Sequence, residues 1–290
     1  MKKTRVLRLV RERKFAELLD PPARGAVFEA SGVFAIGGAC FVVFDNIRRA
    51  ARVASHLRLD SPEHRWLGSG RAGEGYEAIT YDPARRRFYL MIEAEKHPDG
   101  TFKAVIEECD ERWRFKARAW VDVPFEDRNT GFEGLASVKA GGRHYLLALC
   151  EGNRCRGSRK KRGNGRGRIH VLEKRGRTWQ PVACIKLPPH VNFRDYAGLA
   201  LRGDSLAVVS QESSRLWVGR LRRGRWAIVG RGRIYDFPRT KKKGKRLYGT
   251  VEGISWLSPT SLVAVSDLRK KRHPKRCERN DQSIHIFKTV

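Results

Sequence analysis

Apolar residues along this chain gather in short runs closed by turn residues, and none of the runs recurs at helical spacing. The clearest cover residues 41–45, 88–93, 145–151, 206–212 and 262–267. Runs this short, β-rich and bounded by turns predict buried strands. Each ends in an acid, namely Asp45, Glu93, Glu151, Glu212 and Asp267. A shorter strand, usually with an acid at its start, precedes each one. The copies read Phe28-Glu29-Ala30, Tyr76-Glu77-Ala78-Ile79, Phe132-Glu133-Gly134-Leu135, Tyr196-Ala197-Gly198-Leu199 and Val251-Glu252-Gly253-Ile254. The fourth copy holds Ala197 where the others hold Glu, with Asp195 as the nearest substitute.

A repeat of this kind decides the architecture before any single residue does. Three copies continue through a third strand, a turn with a Trp (Trp113, Trp179, Trp226) and a fourth strand that ends near a Pro (Pro124, Pro188, Pro238). Each Trp is expected to cap the outer sheet against its neighbour. The first copy departs from this pattern. A four-stranded sheet cannot bury both faces alone, and radial stacking of such sheets solves the problem. The chain is therefore predicted to be all-β: a five-bladed β-propeller of four-stranded blades forming a single domain over residues 1–290. The last copy stops after its third strand, at residues 283–287, and the leading segment 4–15 is predicted to supply the missing strand and close the ring. A β-sandwich and a sixth, degenerate blade near copy one are the alternatives.

Charge changes the picture next. Lys and Arg number 61 against 31 Asp and Glu, a formal net charge of +30. Such an excess calls for an anionic partner or for a large solvated basic surface. Non-specific nucleic-acid binding belongs to that range of partners. Three loops are strongly basic. Arg154, Lys160, Lys161 and Arg162 lie in the first, Arg239, Lys241 and Lys242 in the second, and Lys270 and Lys271 in the third. They contain no aromatics for base stacking, which argues against sequence-specific single-strand recognition. The lead Met1-Lys2-Lys3 has no apolar stretch behind it, so no secretory signal is read and a cytoplasmic monomer is expected. No run of about 18 apolar residues predicts a membrane span. Cys40 and Cys184 read as small core residues. Cys150 and Cys155 stand at a spacing open to a local disulfide or half a metal site.

In a propeller the first strand lines the axis, and the second runs antiparallel beside it. Strand-one starts and strand-two ends then share a mouth. That placement gathers Asp45, Glu77, Glu93, Glu133, Glu151, Glu212, Glu252 and Asp267, with Glu29 in uncertain register. Carboxylates so close cannot all stay ionised without cations. A hard cation such as Ca²⁺ takes six to eight oxygen ligands and suits such a mouth. The plain alternative is that each acid pairs with an Arg. His97, just beyond Glu93 and Glu95, is the one histidine placed to carry a proton there. No nucleophile elbow, phosphate-binding P-loop or dinucleotide fingerprint appears in a strand–helix context.

The pairing of Glu133-Gly134-Leu135 and Glu252-Gly253-Ile254 with strands ending Ser266-Asp267 or Ser210-Gln211-Glu212 resembles the phytase-like propellers. It also resembles the related SdiA-regulated and esterase-like propeller groups. The segments Leu149-Cys150-Glu151-Gly152-Asn153 and Gln282-Ser283-Ile284-His285-Ile286-Phe287 look like an uncharacterised bacterial branch of that group. The resemblance implies a propeller and, for phytase-like members, bound calcium with phosphate-ester hydrolysis. The expectation that follows is a calcium-dependent hydrolase acting on an anionic, phosphorylated substrate at the mouth. A non-catalytic scaffold binding a polyanion or a partner is the rival.

Overall fold

The structure, a computed structural model, describes residues 5–21, 25–68, 75–128, 130–152 and 167–289. Two strands lead the chain, β1 (Arg5–Val6) and β2 (Arg8–Lys14). The first repeat forms β3 (Ala30–Ile36), β4 (Ala39–Phe44), β5 (Ala50–Ala54) and β6 (Arg65–Leu67). The second forms β7 (Ala78–Asp82), β8 (Arg87–Lys96), β9 (Phe102–Asp110) and β10 (Phe115–Phe125). The third forms β11 (Phe132–Ala140), β12 (Arg143–Cys150), β13 (Arg168–Arg175) and β14 (Thr178–Lys186). In the fourth come β15 (Gly198–Arg202), β16 (Ser205–Ser210), β17 (Arg215–Arg222) and β18 (Ala227–Asp236). The last repeat adds β19 (Val251–Ser258), β20 (Ser261–Ser266) and β21 (Ser283–Lys288).

Consecutive strands of each repeat pair antiparallel, from an innermost first strand outward. The last repeat takes its fourth strand from the lead segment, because β2 pairs antiparallel with β21 (Arg13 opposite Ile284). β1 adds to the outside of the fourth repeat, parallel to β18. Units two and three are joined at their rims by a short parallel pairing of β10 with β14.

Apolar side chains do not form one central core. They form clusters between successive units, and the cluster between the last unit and the first holds Val263, Val265 and Ile284 against Phe28, Val33 and Val42. A ring of sheets with its core between the sheets, and the first strands around a common axis, is a β-propeller. The Trp residues repeat one contact. Trp113 stacks on Phe41, Trp179 meets Tyr89 edge-on and Trp226 meets Tyr145 edge-on. In each case the partner sits on the second strand of the preceding unit, which is how the Trp caps it.

The first unit departs from the repeat as expected, and one other expectation, for Cys184, needs correction. Unit one has only short outer strands and Trp66 in place of the Trp turn, with the indole donating to the Asp20 carbonyl at 2.8 Å. Cys184 is exposed rather than a core residue, because it faces outward on the outer strand β14 between inward-facing neighbours. Cys40 is buried as expected, and burial pushes its thiol up to about 12. Cys150 is disulfide-bonded, and Cys155 lies outside the described residues.

Candidate functional site

Strand register defines what faces the axis at the mouth where first strands begin. Gly32, Ala78, Gly134, Gly198 and Gly253 pair with Val43, Met91, Leu149, Val209 and Val265. The residues preceding the first set are Ser31, Glu77, Glu133, Ala197 and Glu252. Two residues beyond the second set stand Asp45, Glu93, Glu151, Gln211 and Asp267. Equivalent positions of the five repeats thus bring together seven of the eight carboxylates named from sequence.

The register settles the open placement of Glu29 and corrects that of Glu212. Ser31, not Glu29, is the ring residue of unit one, and its hydroxyl donates to the Tyr76 carbonyl of unit two. Glu29 lies behind it, near enough to bear on Asp45 and Asp267. In unit four the ring residue is Gln211, not Glu212. The Glu212 carboxylate turns aside to Arg272 Nε at 2.8 Å. Aligning acid with acid hid both positions. Counting from the small residue of strand one would have revealed them, because that residue is fixed by close approach at the axis.

The cup divides into two halves. On one side, oxygens of Glu93, Glu133 and Glu151 lie within 4.8 Å of one another. Burial, together with Glu77, Glu93, Glu151 and Glu252, holds the Glu133 carboxyl well above the ordinary range. On the other side Lys270 Nζ stands 3.2 Å from Glu252 and 3.4 Å from Asp267. Lys270 was expected on the basic rim, but it serves as a countercharge inside the cup. Even so, burial and Glu252 push Asp267 up to about 8. Asp45 goes further, to about 9, through burial and then the fields of Glu77, Asp267 and Glu252. Asp195, just outside the ring and bonded by the Ser210 hydroxyl, is raised by burial to about 7.

The cup has a closed floor. A Cβ on Gly198 would stand 2.1 Å from the Glu252 carbonyl oxygen, and one on Gly253 would stand 2.8 Å from Gly32 Cα. Only glycine lets the backbones meet so closely. The void left on the axis there is about 10 Å³, room for roughly one water.

The donor set suits a hard cation. Every ring ligand is an oxygen, and Asp45 Oδ1 and Gln211 Oε1 are buried with no hydrogen-bond partner among the described residues. Orphaned acceptors around an anionic cluster are what a bound cation would satisfy.

The remaining predicted residues lie elsewhere. His97 is held by Asp99 Oδ1 at 2.9 Å and meets Trp120 edge-on, on the outermost strand of its unit. That places it on the blade's flank, away from the axis. Arg239, Lys241, Lys242 and Lys271 are exposed. Arg239 lies 3.9 Å from Asp236. Arg154, Lys160, Lys161 and Arg162 lie outside the described residues.

The class defined by fold and site is a β-propeller with an acidic cup at one mouth. No family model and no curated relative matches the sequence. Solved structures are similar in fold. The chain resembles the glutaminyl cyclase of Myxococcus xanthus over 100% of both chains, with a TM-score of 0.57 and 12% identity. It also resembles the PQQ-bound aldose sugar dehydrogenase of Streptomyces coelicolor over 97% of both chains, with a TM-score of 0.53 and 12% identity. A luciferin-regenerating enzyme aligns over 96% of this chain and 94% of its own, with a TM-score of 0.53 and 10% identity. These likenesses concern the fold. Among the described residues, no helix is long and apolar enough to cross a membrane.

Proposed function

We propose that the chain is a monomeric, calcium-dependent hydrolase that takes an anionic, phosphorylated substrate at the acidic cup. One observation carries this reading: Glu93, Glu133 and Glu151 bring carboxylate oxygens within 4.8 Å of one another at a closed-ended mouth. These three would hold the ion, with the orphaned Gln211 amide oxygen of the same ring as a further acceptor. When bound, the cation would neutralise charge that develops on the phosphoryl oxygens. The chain's own groups do the rest. Asp45, which burial and the neighbouring carboxylates raise to about 9, is the donor this reading assigns to the leaving group. Lys270 fixes Glu252 and Asp267 and keeps one side of the cup neutral. Lys241, Lys242 and Lys271, exposed on neighbouring loops, draw the anion in.

Differential scanning of the purified protein with Ca²⁺ or chelator, alongside hydrolysis of a phosphomonoester, tests the proposal. Calcium at about 100 times Kd should add about 2.7 kcal/mol of stability. Glu133→Gln should abolish both that gain and turnover. Full hydrolysis in excess chelator would sink it.

The +30 charge favours a second reading, in which the basic loops hold a polyanion without catalysis. Affinity for double-stranded DNA would then fall steeply with salt. Failure to bind DNA at low ionic strength would remove this rival.

A further inference from the structure

At the opposite mouth the axis carries no carboxylate among the described residues. Below the glycine floor lies a shaft of about 190 Å³, walled by the aliphatic Val33, Ile79, Leu135, Leu199 and Ile254 with the small polar Thr80 and Ser255 among them. Tyr81, Pro83, Ser137 and Leu201 line its outer end and also line a cavity of about 530 Å³ between units two, three and four. That size lies within the range of small-molecule sites. The shaft therefore ends where the vestibule begins.

The vestibule has the reverse charge of the cup. Arg85, Lys139 and Arg223 line it against a single carboxylate, Asp82. Arg85 is paired with Asp82 at 2.9 Å and Arg223 with Asp204 at 3.1 Å. Lys139 is exposed and makes no ion pair with a described residue, so one positive charge is left over. Neutral polar groups stand beside it. Ser137 Oγ lies 3.0 Å from His144 Nε2, and burial with the nearby Arg85 pushes His144 down to about 4.

We propose that this face is a binding site for a small aliphatic carboxylate, its chain in the shaft and its head beside Lys139. A monoanion matches the single excess charge, and a short aliphatic tail matches the five aliphatic walls of a shaft that narrows at the glycine floor. A substituent of the opposite charge would meet Arg85, Lys139 and Arg223 together. This reading is independent of any cation in the cup.

Calorimetric titration of the full chain with acetate, butyrate and hexanoate tests it. Affinity should rise about fourfold per added methylene until the shaft fills. Hexanol and hexylammonium should bind at least about fivefold more weakly than hexanoate. Lys139→Glu, an exposed change that leaves the fold intact, should weaken hexanoate about fivefold or more. Ala136→Phe, which fills the shaft, should abolish the chain-length trend. Should that variant not fold, the trend in the unmodified protein still decides. Affinity independent of chain length, equal binding of hexanol, or no binding of hexanoate would each overturn the proposal.

Discussion

Asp45, Asp267 and Glu133 hold protons more tightly than ordinary carboxyls do, because they are buried beside other carboxylates. Unfolded, such aspartates titrate near 3.9. Folded, Asp267 and Asp45 titrate at about 8 and about 9. The native state thus binds more protons than the unfolded chain between those limits, so stability falls as pH rises through that window. In chelator, the melting temperature should drop steadily from pH 5 to 9, and calcium should restore more of it at pH 9 than at pH 5. A flat profile in chelator would contradict the assignment. Lys270 makes a separate prediction. Its ammonium occupies one half of the cup, so Lys270→Met should raise bound calcium from one ion to two by native mass spectrometry. An unchanged count would show that Lys270 does not stand in for a cation. The acids themselves were legible in the sequence because they recur at matched strand ends. Ser31, Gln211 and the inward turn of Lys270 were not, since register at the axis depends on close backbone contacts that residue type alone does not report.

Among the strands, β2 has the largest task. It closes the fifth unit, and its Glu12 carboxylate gathers three donors there. His285 Nδ1 lies at 2.7 Å, Asn280 Nδ2 at 2.9 Å and the Tyr248 hydroxyl at 3.1 Å. Burial would raise Glu12, but the His285, Asn280 and Tyr248 contacts prevail and lower it. On its far side His285 Nε2 lies 2.8 Å from the Ser266 hydroxyl. This Ser–His–Glu arrangement resembles a nucleophilic triad, yet Ser266 and His285 are fully buried, so it fastens strands rather than attacks a substrate. Glu12→Ala leaves the donors unmatched and should cost about 3 kcal/mol in denaturant unfolding. A loss below about 0.5 kcal/mol would deny the clasp its role. The closing strand was readable because the last repeat lacks an outer partner. The clasp was not, since it joins residues from opposite ends of the chain.

At the scale of the whole molecule, five repeats and a borrowed strand make a ring whose mouths differ in chemistry. One is rich in carboxylates, and the other has a throat of aliphatic and small polar residues with a cationic entrance. The repeat pattern carried this architecture in the sequence, because strand length and turn spacing are local properties. The second mouth left no trace there, since its walls are ordinary inward-facing strand residues. The glycine contacts at the axis act as a bulkhead between two compartments. The opening left there is only about 10 Å³, which narrows the passage between the two sides to roughly the room of one water. The cation proposed for the cup and the carboxylate proposed for the shaft would then exchange with solvent through separate mouths.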